Sequence, residues 1–166
     1  MITHGCCILN PFKKRKKWWD SGLKFSCLPD CGKCCNEPDG IVYLSLKDMS
    51  RLASYHSLPL NEWIKKDCRK SSDGRYILKS NEEKNTCIYF NDNLNCDVYD
   101  SKPDQCSAFP WWNENLVDKK SWEKTKEICP GIDHPKALII DKKTIKFWIE
   151  ADKVSEKGVK DSELGF

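Results

Sequence analysis

Long apolar runs are missing from this chain of 166 residues. No stretch approaches the roughly 18 consecutive apolar residues that a membrane-spanning helix needs. The first 24 residues also lack the charged-then-apolar order of a secretory signal. The expectation is therefore a cytoplasmic protein without a transmembrane segment. Histidine is scarce: His4, His56 and His134 stand far apart, and none sits in a metalloprotease helix pattern. No glycine loop suited to cradling phosphate and no internal repeat is present, so no catalytic constellation emerges beyond the cysteines and an enzymatic role is left open. A net basic charge on the body is missing too. Residues 1–24 carry six Lys or Arg against one Asp, whereas the rest holds 22 basic and 24 acidic residues. A nucleic-acid partner is not expected, because such a domain carries its basic charge on the folded face that meets phosphate.

What remains is one ordinary domain of 19.3 kDa, with 39% hydrophobic and 32% charged residues. Its outlier is cysteine, at eleven residues. Cytosolic thiols are kept reduced, so this abundance points to metal binding or catalysis before disulfides. The odd count also forbids complete internal pairing.

Residues 1–17 read as a basic, flexible leader in which Cys6-Cys7 precedes the run Lys13 to Lys17. A solvated tail is the plainer reading, and lipidation beside a polybasic patch is the alternative. The domain proper spans 18–150, and 151–166 read as a C-terminal tail that frays from Val154. Cys27, Cys31, Cys34 and Cys35 fall in a Pro- and Gly-rich stretch that predicts an irregular loop held by something other than ladder hydrogen bonds. Ile41–Leu44 predicts a short strand, and Ser45 three residues before Asp48 predicts a helix start carrying Leu46, Met49, Leu52 and Ala53 on one face. Pro59 ends that helix. Asn61 is expected to cap a second one, running to about Arg69. Ser71–Gly74 is a turn, and Arg75–Leu78 a strand. Cys87–Phe90 and Cys96–Tyr99 predict a hairpin around a five-residue turn. Short helices are expected after Pro103, over Ser121–Ile128 and after Asp141. The fold class is α+β: a small, irregular, metal-organised domain with short strands and three to four short helices.

Thiolate is a soft ligand that favours zinc, copper(I) and iron–sulfur centres. Four cysteines lie within residues 27–35, and Cys87, Cys96, Cys106 and Cys129 are scattered, each beginning or ending an element. Cys68 falls outside this pattern. The spacing Cys27-x3-Cys31-x2-Cys34 also matches that of radical S-adenosylmethionine enzymes. Lys33 stands where those enzymes carry an aromatic residue, and the long alternation of strands and helices they need is missing.

Phe25-Ser26-Cys27, Cys31-Gly32-Lys33-Cys34-Cys35 and Gly40-Ile41-Val42-Tyr43-Leu44-Ser45 resemble the YkgJ-type cysteine-cluster family of zinc- or iron-chelating domains. The resemblance continues through Cys87-Ile88-Tyr89-Phe90, Cys96-Asp97-Val98-Tyr99 and Lys102-Pro103-x2-Cys106-x2-Phe109-Pro110 to Cys129-Pro130-Gly131-Ile132. It covers about residues 18 to 135. It implies that Cys27, Cys31, Cys34, Cys35, Cys87, Cys96, Cys106 and Cys129 bind metal, while Cys6, Cys7 and Cys68 match nothing in it. Two departures stand out: the first gap is one residue longer than usual, and Lys102 replaces an Arg, keeping charge but losing the bidentate fork.

Eight thiolates fit two zinc sites, two iron–sulfur clusters, or one cluster with other cysteines structural. Adjacent Cys34 and Cys35 are expected to point apart, which disfavours sharing one ion. Only Cys31-x2-Cys34 has the knuckle form of zinc sites. An iron–sulfur centre is therefore expected, for redox, sensing or metal handling with an unidentified protein partner, and the alternative is a zinc-stabilised interaction domain. An enzyme reading, by likeness to a flagellin lysine-N-methylase with a similar cysteine-rich segment, lacks residues for an S-adenosylmethionine site. Trp18, Trp19, Trp111 and Trp112 flank the cysteines and are expected to pack around the metal rather than stack on bases. Lys33 is a candidate for offsetting cluster charge, and His134 for an extra ligand, each against a plain surface role.

Overall fold

The structure is a computed structural model that describes residues 16–37 and 40–165. The leader, with Cys6 and Cys7, lies outside the described residues apart from Lys16 and Lys17. The chain is α+β. Strand β1 (Leu23–Phe25) leads into the first cysteine loop, and helices α1 (Leu46–Tyr55) and α2 (Leu60–Asp67) follow. The short strands β2 (Cys68–Lys70) and β3 (Tyr76–Leu78) come next, then α3 (Asp104–Ala108), α4 (Lys119–Ile128), β4 (Leu138–Ile140) and α5 (Lys142–Ser155). Each sheet has two antiparallel strands: β1 pairs with β4, Leu23 opposite Ile140, and β2 with β3, Cys68 opposite Leu78. Among the described residues no helix is long and apolar enough to cross a membrane.

Local signals place the helices. Ser45 Oγ accepts the Asp48 backbone N–H at 3.1 Å while Asp48 Oδ2 accepts that of Ser45 at 3.0 Å, a reciprocal cap that starts α1 as expected. Met49, Leu52 and Ala53 form its buried stripe. Asp141 caps α5 through the Thr144 N–H at 2.8 Å. Asp118 caps α4 through the Ser121 N–H, and this helix begins at Lys119 instead of Ser121.

Several expectations are corrected by tertiary pairing. Ile41–Leu44 makes no strand: Tyr43 forms a single bridge to Ile77, and its N–H goes to the Gln105 side chain at 2.7 Å. Helix α2 has Pro59, not Asn61, at its N-cap and stops at Asp67. Cys68–Lys70 then becomes a strand, because the Ser71–Gly74 turn folds Tyr76–Leu78 back against it. The expected hairpin keeps its turn, with Asn91 Oδ1 accepting the N–H groups of Asn93 and Asn95 at 3.0 Å. Its arms, however, meet only at a Phe90–Cys96 bridge and an Asp97-to-Tyr89 hydrogen bond. Nor does the chain fray from Val154. Val159 is buried, its carbonyl accepts the Tyr76 N–H at 2.9 Å, and Lys70 and Tyr76 hold Asp161 beyond it.

Two hydrophobic clusters result. The first gathers Leu44, Met49, Leu52, Trp63, Ile64, Leu78, Tyr89 and Val98 around α1 and α2. The second gathers Trp19, Trp111, Leu116, Trp122, Ile132, Ile145 and Ile149 around α4 and α5. Leu78, Tyr89 and Val98 of the first cluster, and Phe25 and Phe109 packed against the second, face the cysteines.

Candidate metal centre

The first cysteine loop is shaped by close backbone approaches. Gly32 sits at φ 50°, and a Cβ there would overlap the Leu94 carbonyl oxygen and the Phe90 ring, so only glycine lets the loop lie on the 91–95 turn. Asn95 Nδ2 donates to Asp30 Oδ1 at 3.0 Å and ties the same two segments. Lys33–Cys35 then closes as one 3-10 turn, with the Cys35 carbonyl accepting the Cys87 N–H at 3.1 Å. At the other end, Gly131 has no room for a Cβ against the Ser26 carbonyl, and Ser26 N–H donates to the Gly131 carbonyl at 3.1 Å. This contact brings Cys129 to the first cysteine loop, where Cys31 and Cys34 act on its thiol.

Helix α1 places the third arm. Asp48 is fully buried, and its Oδ1 accepts the Arg51 Nη2 at 2.6 Å and the Asp104 backbone N–H at 2.9 Å. Arg51 in turn donates to the carbonyls of Ser101 (3.2 Å) and Lys102 (2.8 Å) and to Asp104 Oδ1 (3.0 Å). The segment 101–104 is thereby clamped, and Cys106 follows on α3. Charge-assisted bonds of this kind are about twice as strong as neutral ones.

These contacts bring all eight candidate cysteines, Cys27, Cys31, Cys34, Cys35, Cys87, Cys96, Cys106 and Cys129, to the wall of one cavity of about 480 Å³. Cys68 does not line it and is buried in the first hydrophobic cluster. Every described cysteine is a free thiol. Cys34 and Cys35 do not diverge as expected: the tight 3-10 turn lets both line the cavity, with the Cys35 thiol in hydrogen-bonding reach of Cys34 and Cys96. Among the described residues no three of these sulfurs fall within 4.8 Å of one another.

The rest of the wall differs from expectation. Phe25, Tyr89, Tyr99 and Phe109 supply the aromatic faces, together with Leu28, Leu78 and Val98. The tryptophans stand one layer behind. Trp111 meets the Phe25 edge at 5.5 Å and stacks on Trp122, and Trp112 meets Phe109 at 5.1 Å. The Lys33 side chain is exposed at the cavity, but the ammonium group felt by Cys34, Cys96 and Cys106 is that of Lys102, poised 3.9 Å over the Tyr99 ring. His134 is turned to its own loop, Nδ1 accepting the Lys136 N–H at 3.2 Å, and stays off the cavity.

The thiols divide by environment. The hydrogen bond from Cys35 lowers the Cys34 and Cys96 thiols to about 7, and Cys35 itself is driven strongly up by those same two neighbours. Burial raises Cys87 and Cys129 to about 11 and pushes the Cys106 thiol up as well. So many thiols crowded into an apolar cavity cannot all ionise together without compensating positive charge. A bound metal supplies that charge, and the donor set is the soft, all-sulfur kind that zinc and iron–sulfur centres use.

Sequence reasoning missed the walls, the Lys102 position and the Asp48–Arg51 clamp. The clamp's two members sit three apart on a capped helix, a legible signal; their target at 101–104 is a tertiary contact.

A family model described as "Putative zinc- or iron-chelating domain", CxxCxxCC, matches residues 26–130. The matched span is more than half of the chain and runs from just before Cys27 to just after Cys129. No solved structure gives a significant match. The chain is thus a member of the CxxCxxCC family, a metal-binding domain of the zinc- or iron-chelating type.

Proposed function

We propose that the eight cavity cysteines hold an iron–sulfur centre used for redox, sensing or metal-handling work. The observation that carries this reading is the convergence of all eight on one cavity that leaves Cys68 out. Four thiolates on a single zinc at about 2.3 Å would stand about 3.8 Å apart. A cluster, whose irons and sulfides lie between its thiolates, accepts ligands from a wider spread, which suits eight cysteines drawn from separate segments. When bound, the cluster supplies a one-electron site whose potential follows burial and hydrogen bonds to sulfur. The chain's own residues do the rest. Phe25, Tyr89 and Phe109 exclude water from the thiolates, Lys102 offsets their charge, and the Asp48–Arg51 clamp holds the Cys106 arm in register.

A second reading has its own support. The cavity takes Leu78, Tyr89 and Val98 from one hydrophobic cluster and Phe25, Phe109 and Cys129 from beside the other. A zinc ion would cross-link the two clusters and contribute folding energy without redox work. Elemental analysis with absorbance of anaerobically purified protein separates the two. Iron with acid-labile sulfide and a broad band near roughly 400 nm supports the cluster, whereas colourless protein carrying stoichiometric zinc overturns it.

A further inference from the structure

Three carboxylates stand apart from the cysteine cavity, which none of them lines. Glu114, in the 3-10 turn Asn113–Leu116, meets Asp152 and Glu156 at the C-terminal end of α5, and one oxygen from each lies within 4.8 Å of the others. Asp152 is 1% exposed. Its Oδ2 accepts the Asn113 backbone N–H at 3.3 Å, with the Gln105 side chain alongside, but its Oδ1 is buried without any hydrogen-bond partner. Among the described residues none of the three carboxylates is in an ion pair. Lys153 turns to Glu150 at 2.8 Å, and Arg75 reaches the Glu156 backbone carbonyl rather than its carboxylate.

A buried carboxylate oxygen with no donor is costly unless a cation meets it or the group takes up a proton. Burial raises Asp152 only to about 6, so at neutral pH the charge is still there to be met. The end of α5 adds the partial negative charge of its unsatisfied carbonyls. We infer that Glu114, Asp152 and Glu156 form a second metal site, for a hard divalent cation of the calcium type, distinct from the thiolate centre. Carboxylate oxygens alone select hard ions, and the exposure of Glu114 and Glu156 leaves the remaining positions to water. The buried Asp152 oxygen is the anchor and the two glutamates close over the ion.

The test uses the full chain with its thiolate-bound metal in place, titrated with CaCl2 by calorimetry and with MnCl2 by electron paramagnetic resonance. One ion per chain should bind, with half-saturation at roughly 0.1–1 mM, the range of weak open calcium modules. The double variant Glu114→Gln/Glu156→Gln alters only exposed side chains and keeps the fold, checked by circular dichroism; it should weaken binding at least about tenfold. Absence of saturable binding up to about 10 mM overturns the site. Unchanged binding in the double variant, or release of the thiolate-bound metal by calcium, overturns it as well.

Discussion

Replacing Asp48 by Asn tests whether helix α1 governs the metal cavity. The carboxylate takes four donors: Oδ1 accepts Arg51 Nη2 (2.6 Å) and the Asp104 N–H (2.9 Å), while Oδ2 accepts the Ser45 N–H (3.0 Å) and Ser45 Oγ (2.5 Å). An amide of the same shape has one acceptor oxygen, so its NH2 must face donors on one side. Turned toward Ser45, it loses the reciprocal cap, about 1 kcal/mol, and leaves a buried N–H unpaired at about 1–3 kcal/mol. Turned toward Arg51, it loses a charge-assisted bond as well. The expected loss is about 2–4 kcal/mol, read by urea unfolding at fixed metal content. The segment 101–104 is also freed, so a chelator should strip metal roughly 10- to 100-fold faster, the usual effect of removing a group that orients a ligand. A loss below about 1 kcal/mol with unchanged chelation kinetics would refute the clamp.

Cys31→Ser and Cys106→Ser should each lower metal content and solubility, whereas Cys68→Ser keeps full metal content at some cost in core stability; elemental analysis of all three checks the ligand set. Gly32→Ala forces a side chain into left-handed backbone, about 1–2 kcal/mol, and against the Leu94 carbonyl and Phe90, so melting temperature and metal loading should fall together. Burial, with Asp67 beside it, raises the Cys68 thiol to about 12. Its folded value lies above its unfolded one, so its contribution is complete below about pH 9 and fades as pH rises toward 12. Between pH 9 and 11 metal-free wild type should lose up to about 1.4 kcal/mol per pH unit more than Cys68→Ala, and parallel stability profiles would contradict this.

The structure bears out the reading of the chain where the signal was local. The Ser45–Asp48 cap, the Asp141 cap and the 71–74 and 91–95 turns depend on side chains bonding backbone two to four residues away, and such contacts are legible in order along the chain. The short strands were not. Leu23–Phe25 and Leu138–Ile140 are three residues each, and they exist only because the fold lays them side by side. Cys68 and Arg69 read as the end of a helix until their partner strand is known.

By itself, the amino-acid order determined that eight of eleven cysteines share a pattern, that the thiols are soft donors, and that a family of metal-chelating domains has this arrangement. Which side chains surround those thiols was decided only by folding. The aromatic faces come from Phe25, Tyr89, Tyr99 and Phe109 instead of the neighbouring tryptophans, and the counter-charge from Lys102 instead of Lys33. Spacing along a chain limits which ligands can meet, but the medium around them is set by segments about a hundred residues apart, brought together by close backbone contacts and one part-buried ion pair.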